Sequence, residues 1–141
     1  MTINHLVLIG GGHTNVLLMR KWLMYPKLMP EIPISIISRD TKLVYSAMFP
    51  SVISKSISLD KSLIDIRSLA KKSKVAFIKE EVINIDFQLK KIFLKNRPSI
   101  GYSKLVLNYG SQTKIPEEFE DLVNNQTVSY THLTLPTIYS V

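Results

Sequence analysis

The sequence opens with a short apolar run that stops at three consecutive glycines. Residues 6–9, "LVLI", precede Gly10, Gly11 and Gly12, and from about Thr14 apolar side chains recur at helical spacing. A continuous apolar run of this length is typical of a buried strand. A strand that passes through glycines into a helix is the first half of a βαβ unit, and this constrains the fold more than any other feature of the chain.

A second strand completes the unit. Residues 32–38, "IPISIIS", are rich in isoleucine, which suits a pleated buried surface. The helix between the strands is expected to end near Tyr25 and Pro26, because proline cannot continue it. Its predicted apolar positions are Val16, Leu17, Met19, Trp22 and Leu23. Strand, glycine turn, helix and strand in this order predict parallel strands.

The rest of the chain predicts further strands and helices. Residues 39–60 form a long connection with a short helix around residues 47–54, and residues 61–73 have helical spacing at Leu63, Ile66 and Leu69. Residues 74–96 alternate apolar and polar positions, turn near Gln88 and alternate again, which predicts a strand feeding a β-hairpin. Residues 102–111 predict a final buried strand that ends at Gly110. Alternating strands and helices make the fold class α/β.

Composition excludes several classes of protein. The 141 residues include no cysteine, which rules out disulfides, thiolate zinc sites and a redox-active cysteine pair. The three histidines are scattered, which argues against a metal cluster. No apolar run approaches the ~20 residues of a membrane helix. The apolar N-terminal stretch also has no preceding basic segment and no small-residue cleavage site. We therefore expect a soluble, cytoplasmic protein.

The charge is basic, with a formal net charge of +7. The lysines are spread along the chain, and aromatic residues are not interleaved with them as a base-stacking surface requires. No nucleic-acid partner is therefore predicted. The alternative, a basic nucleic-acid-binding α/β domain, would require a steep dependence of affinity on salt, which we do not expect. A basic solvated surface accounts for the charge, and so does a mild attraction for small phosphate-bearing molecules.

The C-terminal fourteen residues differ from the rest. Residues 128–141, "VSYTHLTLPTIYSV", contain no charged residue. Residues 128–137 match a translation of the transposon-end adapter used to prepare sequencing libraries. We expect residues 128–141 to be a non-native tail, excluded from fold reasoning, and residues 1–127 to be the natural part, cut off within its gene. The alternative is a genuine polar C-terminus.

The glycine turn can bind an anion. After the first strand, Gly10 permits a sharp turn, and Gly12 lets the backbone approach a pyrophosphate, at which the helix points its free N–H groups. Gly11 makes the loop more permissive still. Asn15 stands where the usual fingerprint has a third glycine, which serves helix–strand packing. A plain tight turn is the alternative; the position between strand and helix favours dinucleotide binding.

The end of the second strand is the next place to expect ligand contacts. An acidic residue there would bind a ribose hydroxyl, but this chain has Ser38, followed by Arg39 and Asp40. Serine can still hydrogen-bond a ribose, and Arg39 can lie against adenine or pair with phosphate. His13 is expected to be a loop residue rather than a catalytic base, because nothing in the sequence orients it.

Four stretches together carry a resemblance to a known family. They are "LVLIGGGHTNVLLMRKWLM", "YSAMFPSVIS", "IDIRSLAKKSKVAFIKEEVINID" and "KKIFLKNRPSIGYSKLVLNYGS". In this order, over residues 4–115, they resemble the N-terminal flavin domain of the pyridine nucleotide-disulfide oxidoreductase superfamily. The branch most similar contains type II NADH dehydrogenase-like proteins, some of them fused to selenide,water dikinase. The resemblance implies a Rossmann-like FAD/NAD(P)-binding fold with a parallel sheet and an added β-hairpin, truncated here.

The resemblance also implies roles for single residues. The loop from Gly10 to Gly12, with His13, Thr14 and Asn15, would hold the FAD pyrophosphate. Ser38 and Arg39 would lie by the adenosine ribose. Val82 would offer backbone groups to adenine, and Gly110 matches the glycine of a turn that returns the chain toward FAD.

Other positions depart from the family pattern. Residues 45–50 occupy the place of the cysteine pair of thiol reductases but contain no cysteine, so the resemblance implies a flavin-only electron path. Ser103 replaces the usual aspartate after Tyr102, and Asn108 and Tyr109 replace an alanine and a threonine. The family's nicotinamide-binding domain and the returning half of its flavin domain would follow residue 127.

Two functions follow from these features. The first is the FAD-binding portion of an NAD(P)H-dependent flavin oxidoreductase, with FAD as cofactor, NAD(P)H as co-substrate and, in the full-length gene, a fused kinase domain. The alternative is a non-catalytic nucleotide-sensing or regulatory module attached to a kinase domain. A flavin that NADH reduces in the full-length protein would separate the two.

Overall fold

The computed structural model describes residues 4–109. Gly110 and the expected tail lie outside the described residues. Four parallel strands form the central sheet in the order β5-β2-β1-β9, with β1 and β2 at its centre. These strands are β1 (Leu6–Ile9), β2 (Ile34–Ser38), β5 (Ala76–Lys79) and β9 (Lys104–Leu107). The predicted α/β fold with a parallel sheet is confirmed.

Helices and shorter strands connect the parallel strands. The helices are α1 (His13–Met24), α2 (Phe49–Ile53) and α3 (Ile66–Lys72). The remaining strands are β3 (Lys42–Val44), β4 (Leu63–Asp65), β6 (Val82–Asp86), β7 (Lys91–Leu94) and β8 (Ile100–Gly101). Turns of 3₁₀ helix lie at Pro26–Leu28, Ser46–Met48 and Leu59–Ser62.

The central strands are buried on both faces, which explains their continuous apolar sequence. Leu6 and Leu8 of β1 lie in one core cluster, together with Met19 and Trp22 of α1 and Ile66 of α3. The alternate residues of β1 face a second cluster on the other side of the sheet. That cluster is formed by Val7, Ile9, Ile37, Ile92, Leu94 and Tyr102.

An antiparallel sheet of three strands, in the order β6-β7-β8, covers the second face. The predicted hairpin is confirmed as β6 and β7, but it does not extend the parallel sheet. Residues 74–96 divide between two sheets because β5 pairs with β2, whereas β6 turns away to pair with β7. The fold is therefore three layers deep: helices, parallel sheet and antiparallel sheet.

Two details of the predicted helices are wrong. Leu63 does not belong to a helix, because it begins β4, which pairs antiparallel with β3. Leu17 and Leu23 of α1 are 50% and 42% exposed, so the buried face of the helix is narrower than predicted. The other predicted apolar positions of α1 are buried. The predicted end of α1 near Tyr25 is confirmed, since the helix ends at Met24.

Neither a membrane-crossing helix nor a metal cluster is found in residues 4–109. No helix in this range combines the length and the apolar content needed to cross a bilayer. No group of three His, Asp or Glu side chains in the same range is placed to hold a metal ion.

Candidate functional site

The glycine loop joins β1 to α1 at the carboxyl edge of the parallel sheet. Gly10 has φ +88°, a conformation that side-chain-bearing residues rarely adopt. Its N–H donates to the carbonyl of Ile37 in β2 at 2.8 Å. The turn predicted at the first glycine is therefore present and is fixed to the neighbouring strand.

Each glycine of the loop is closely approached by another part of the chain. A Cβ atom at Gly10 would overlap the backbone of Asn108, 2.6 Å from its carbonyl carbon. A Cβ atom at Gly12 would overlap the side chain of Asn108 and lie 2.6 Å from its carbonyl oxygen. At Gly11 it would overlap Cδ1 of Ile66, the first residue of α3. Internal packing alone therefore requires glycine at Gly10 and Gly12, whereas a side chain at Gly11 would require the end of the Ile66 side chain to move.

Asn108, which follows β9, accepts two hydrogen bonds from the loop. Its carbonyl oxygen accepts from the N–H of Gly12 at 3.0 Å, and its Oδ1 accepts from the N–H of Thr14 at 3.1 Å. The N–H groups of Gly11 and His13 have no acceptor among residues 4–109. The N–H groups of Gly12 and Thr14 at the positive end of the α1 dipole are thus held by the protein, whereas those of Gly11 and His13 stay available.

Asn15 takes the place of the third glycine without opening the helix–strand contact. Its side chain is fully buried, and its Nδ2 donates to the carbonyls of Ile9 at 3.1 Å and Gly10 at 2.8 Å. Its Oδ1 is buried without a hydrogen-bond partner among the described residues. The carboxamide thus fixes the end of β1 to α1, a role that glycine cannot have.

Ser38 lies directly beside the glycine loop. It is 8% exposed, and its Oγ is 3.3 Å from the position of a Cβ at Gly11. Its hydroxyl forms no hydrogen bond within the described part of the chain and is not enclosed, whereas its carbonyl accepts from the N–H of Glu80 at 3.1 Å. The hydroxyl is therefore free to donate to a ligand or to accept from one.

Arg39 lies in an open cleft of about 360 Å³ beyond the end of β2. The cleft is lined by Arg39, Lys79, Glu80, Glu81, Lys95 and Asn96. Lys95 Nζ is 3.0 Å from Glu81 Oε2, and this hydrogen bond, with the charges of Lys95 and Arg39, lowers the pKa of Glu81 below its ordinary value. Asn96 Nδ2 donates to Glu80 Oε1 at 3.2 Å. Both carboxylates thus have partners, and no ion pair with Arg39 is found among residues 4–109.

The structure corrects one detail of the predicted site, and the ligand-binding roles of its residues stay predictions. His13 is not a loop residue but the first residue of α1, and its exposed ring stacks on Tyr45 with a centroid distance of 4.9 Å. Val82 begins β6 and pairs with Leu94, next to the cleft residue Glu81. The roles of Val82 and Gly110 remain predictions like those of the other site residues, and Gly110 lies outside the described residues.

The site thus brings most of the predicted residues together. Ser38 links the glycine loop to the ends of β2 and β5, and the Arg39 cleft continues from it. Sequence reasoning missed Asn108 as a site residue, although it noted that Asn108 departs from the family pattern. It also missed the contact of Ile66 with the loop, which no local pattern could show.

No protein-family model matches this chain, and no curated protein sequence matches it significantly. Solved structures do match its fold. The sulfide:quinone oxidoreductase of Aquifex aeolicus superposes with a TM-score of 0.68 at 24% identity, over 84% of this chain and 27% of that one. The NADH:rubredoxin oxidoreductase of Clostridium acetobutylicum gives a TM-score of 0.57 at 23% identity, over 79% and 29%. NDH2 of Plasmodium falciparum, solved with NADH, gives 0.60 at 18% identity, over 80% and 23%.

These matches show a shared Rossmann-like fold. The chain spans between a fifth and a third of the length of the matched structures. The matched region includes most of this chain.

Proposed function

We propose that this chain is the FAD-binding portion of an NAD(P)H-dependent flavin oxidoreductase of the pyridine nucleotide-disulfide oxidoreductase superfamily. One observation carries the dinucleotide site: the hydroxyl of Ser38, which has no hydrogen-bond partner among residues 4–109, lies beside a glycine loop in which the N–H groups of Gly11 and His13 also have no acceptor in that range. A pyrophosphate with an adjoining ribose would offer oxygens to all three groups.

The cleft beyond Ser38 fits the adenosine end of such a ligand. Arg39 is exposed, and its guanidinium is available to stack on adenine or to pair with phosphate. The two carboxylates of the cleft are already hydrogen-bonded by Lys95 and Asn96. Bound at this edge of the sheet, FAD would supply the redox chemistry, and this chain would bind and orient its adenosine and pyrophosphate.

The choice of FAD over another dinucleotide rests on the sequence resemblance and on the fold of the matched enzymes. NADH:rubredoxin oxidoreductase and NDH2 with bound NADH share this fold, and their names support a reaction with a nicotinamide cofactor. A fusion to selenide,water dikinase in the complete gene, and a cytoplasmic location, are parts of this proposal that rest on the sequence alone. The complete reading frame tests the fusion directly.

Titration of the ¹⁵N-labelled 141-residue chain with ADP tests the site. We expect the amide resonances of Gly11 and His13 to shift with ADP and with FAD but not with riboflavin, which lacks phosphate. Ser38→Ala should weaken ADP binding about threefold to tenfold, as expected for the loss of one hydrogen bond. Ser58→Ala is the matched control, because Ser58 is exposed and its hydroxyl caps no helix.

Two results would contradict the proposal. One is the absence of any shift at Gly11 and His13 at saturating ADP. The other is equal ADP affinity of the Ser38→Ala and Ser58→Ala variants. The regulatory alternative has its own test: a complete gene product that binds FAD but whose flavin NADH does not reduce would favour a nucleotide-sensing module over an oxidoreductase.

A further inference from the structure

The side chain of Asn108 occupies part of the anion-binding end of α1. Its Oδ1 accepts the N–H of Thr14 at 3.1 Å, and the same side chain fills the space that the missing Cβ of Gly12 leaves open. In a dinucleotide site that space lets a pyrophosphate approach the backbone. Here the chain's own carboxamide is in that space.

We infer that Asn108 is a built-in competitor of the ligand phosphate, which a dinucleotide must displace from the N–H of Thr14. This inference rests on the proposed function. The carbonyl of Asn108 also accepts from Gly12 at 3.0 Å, so the backbone stays attached to the loop while the side chain rotates. The residue thereby sets the affinity of the site without removing its capacity to bind.

The geometry allows this exchange. Asn108 is half-buried rather than enclosed, and the Thr14 to Asn108 hydrogen bond is exposed to solvent. The Nδ2 of Asn108 donates to no acceptor among residues 4–109, so one hydrogen bond alone holds the carboxamide in place. A phosphate carries full negative charge and gains more from the positive end of the α1 dipole than a neutral amide oxygen does.

The competition predicts opposite effects of two substitutions. Asn108→Ala removes the competitor, so the unliganded chain loses a capping interaction while the complex loses nothing. ADP and FAD should then bind about fivefold tighter, the factor that corresponds to an ordinary helix cap. Asn108→Asp keeps the acceptor, strengthens the cap by its charge and repels phosphate, so affinity should fall below that of the unaltered chain.

Thermal unfolding adds a second readout. Without ligand, Asn108→Ala should melt at a lower temperature than the unaltered chain, and saturating ADP should reduce that difference. Asn84→Ala is the matched control, because the exposed side chain of Asn84, in β6, bonds among residues 4–109 only to the N–H of the adjacent Ile85. It should change neither the affinity nor the effect of ADP on melting.

The outcomes are distinguishable. ADP and FAD titrations of the 141-residue chain are followed at the Thr14 amide. Affinity should be highest for Asn108→Ala, intermediate for the unaltered chain and lowest for Asn108→Asp. Measurable binding with equal or weaker affinity in Asn108→Ala would overturn the competition and leave the proposed function standing. No binding in any variant would overturn both.

Discussion

Cδ1 of Ile66 occupies the space in which a side chain at Gly11 would lie. The two residues are joined by no secondary-structure element: Gly11 belongs to the loop after β1, and Ile66 is the first residue of α3. Ile66 is 1% exposed and belongs to the core cluster beneath α1. The geometry of the glycine loop is therefore set in part by the position of α3.

This contact predicts a rescue between two destabilising substitutions. Gly11→Ala should lower the free energy of unfolding by about 1–3 kcal/mol, as overpacking does, and Ile66→Val alone by about 0.5–1.5 kcal/mol. Because Ile66→Val removes the overlapping atom, the double variant should be more stable than Gly11→Ala alone. Urea unfolding followed by the fluorescence of Trp22, the only tryptophan and a buried one, measures each variant. Additive losses in the double variant would contradict the contact.

The other two glycines both meet the carbonyl of Asn108, but only Gly12 also meets its side chain, so the two should respond differently to a change at Asn108. A methyl group at Gly10 would overlap only backbone, on a residue with φ +88°, so Gly10→Ala should cost about 3 kcal/mol or more. A methyl group at Gly12 would overlap the Asn108 side chain as well as its carbonyl. Asn108→Ala should therefore partly rescue Gly12→Ala and leave Gly10→Ala unrescued. Equal rescue of both in urea unfolding would show this assignment to be wrong.

One consequence concerns Gly12→Val, the obvious substitution for testing pyrophosphate binding. The bulk that would block a pyrophosphate would also push against Asn108. Lost cofactor binding in that variant would thus be accompanied by lost stability. Substitution of Ser38 or Asn108 separates the two effects better.

Asp65 should make the stability of α3 depend on pH. Its carboxylate accepts from the N–H of Ser68 at 2.8 Å and from the Ser68 hydroxyl at 3.0 Å, and these hydrogen bonds lower its pKa below 3.8. A carboxyl whose pKa is lowered by folding contributes stability above its unfolded pKa and loses it as the pH falls through the folded value. Asp65→Ala should thus lower the melting temperature by a few degrees at neutral pH, and the difference should shrink below pH 3.8.

Asp65→Asn is the control, because asparagine caps a helix without titrating in this range. Its stability relative to Asp65→Ala should stay constant over the same pH interval. A difference between the unaltered chain and Asp65→Ala that persists unchanged below pH 3.8 would contradict the role of the carboxylate.

The sequence predicted the parts of the fold that depend on local pattern. The strand at Leu6–Ile9 and the helix after it were predictable because a four-residue apolar run, a glycine turn and helical spacing lie next to each other. Leu63 was assigned to a helix, because its spacing to Ile66 fits helix, whereas its pairing with β3 depends on a strand some twenty residues earlier. Periodicity cannot reveal such pairing.

The candidate site shows the same contrast between local pattern and distant contacts. The positions of Gly10 and Ser38 in it were predictable, because each stands at the end of a strand, at the edge where parallel sheets bind ligands. The capping of Thr14 by Asn108 was not, because the two residues are 94 positions apart and meet only when β9 pairs with β1. The hydrogen bonds of the Asn15 carboxamide also depend on tertiary contact, in this case with the end of β1.

Residues 128–141 carry a prediction of their own. Because residues 128–137 match a translated library adapter and the whole segment is uncharged, we expect the gene in its source DNA to diverge from this sequence after about residue 127. Amplification across that point from genomic DNA checks this. Recovery of the same codons for residues 128–137 would show the segment to be native.

The last prediction is that the 141-residue chain does not oxidise NADH. Hydride transfer needs the nicotinamide and the flavin ring held with reacting atoms ~3–3.5 Å apart. The proposed site of the glycine loop, Ser38 and the Arg39 cleft would hold one dinucleotide, and the sequence contains no second run of glycines. The chain also spans only 23–29% of the three matched structures described above. With FAD added, we therefore expect NADH consumption no faster than with free FAD alone, and turnover only in the complete gene product. The measurement is the absorbance of NADH over time, with the chain plus FAD compared with FAD alone. Steady turnover above the FAD background would prove the prediction wrong.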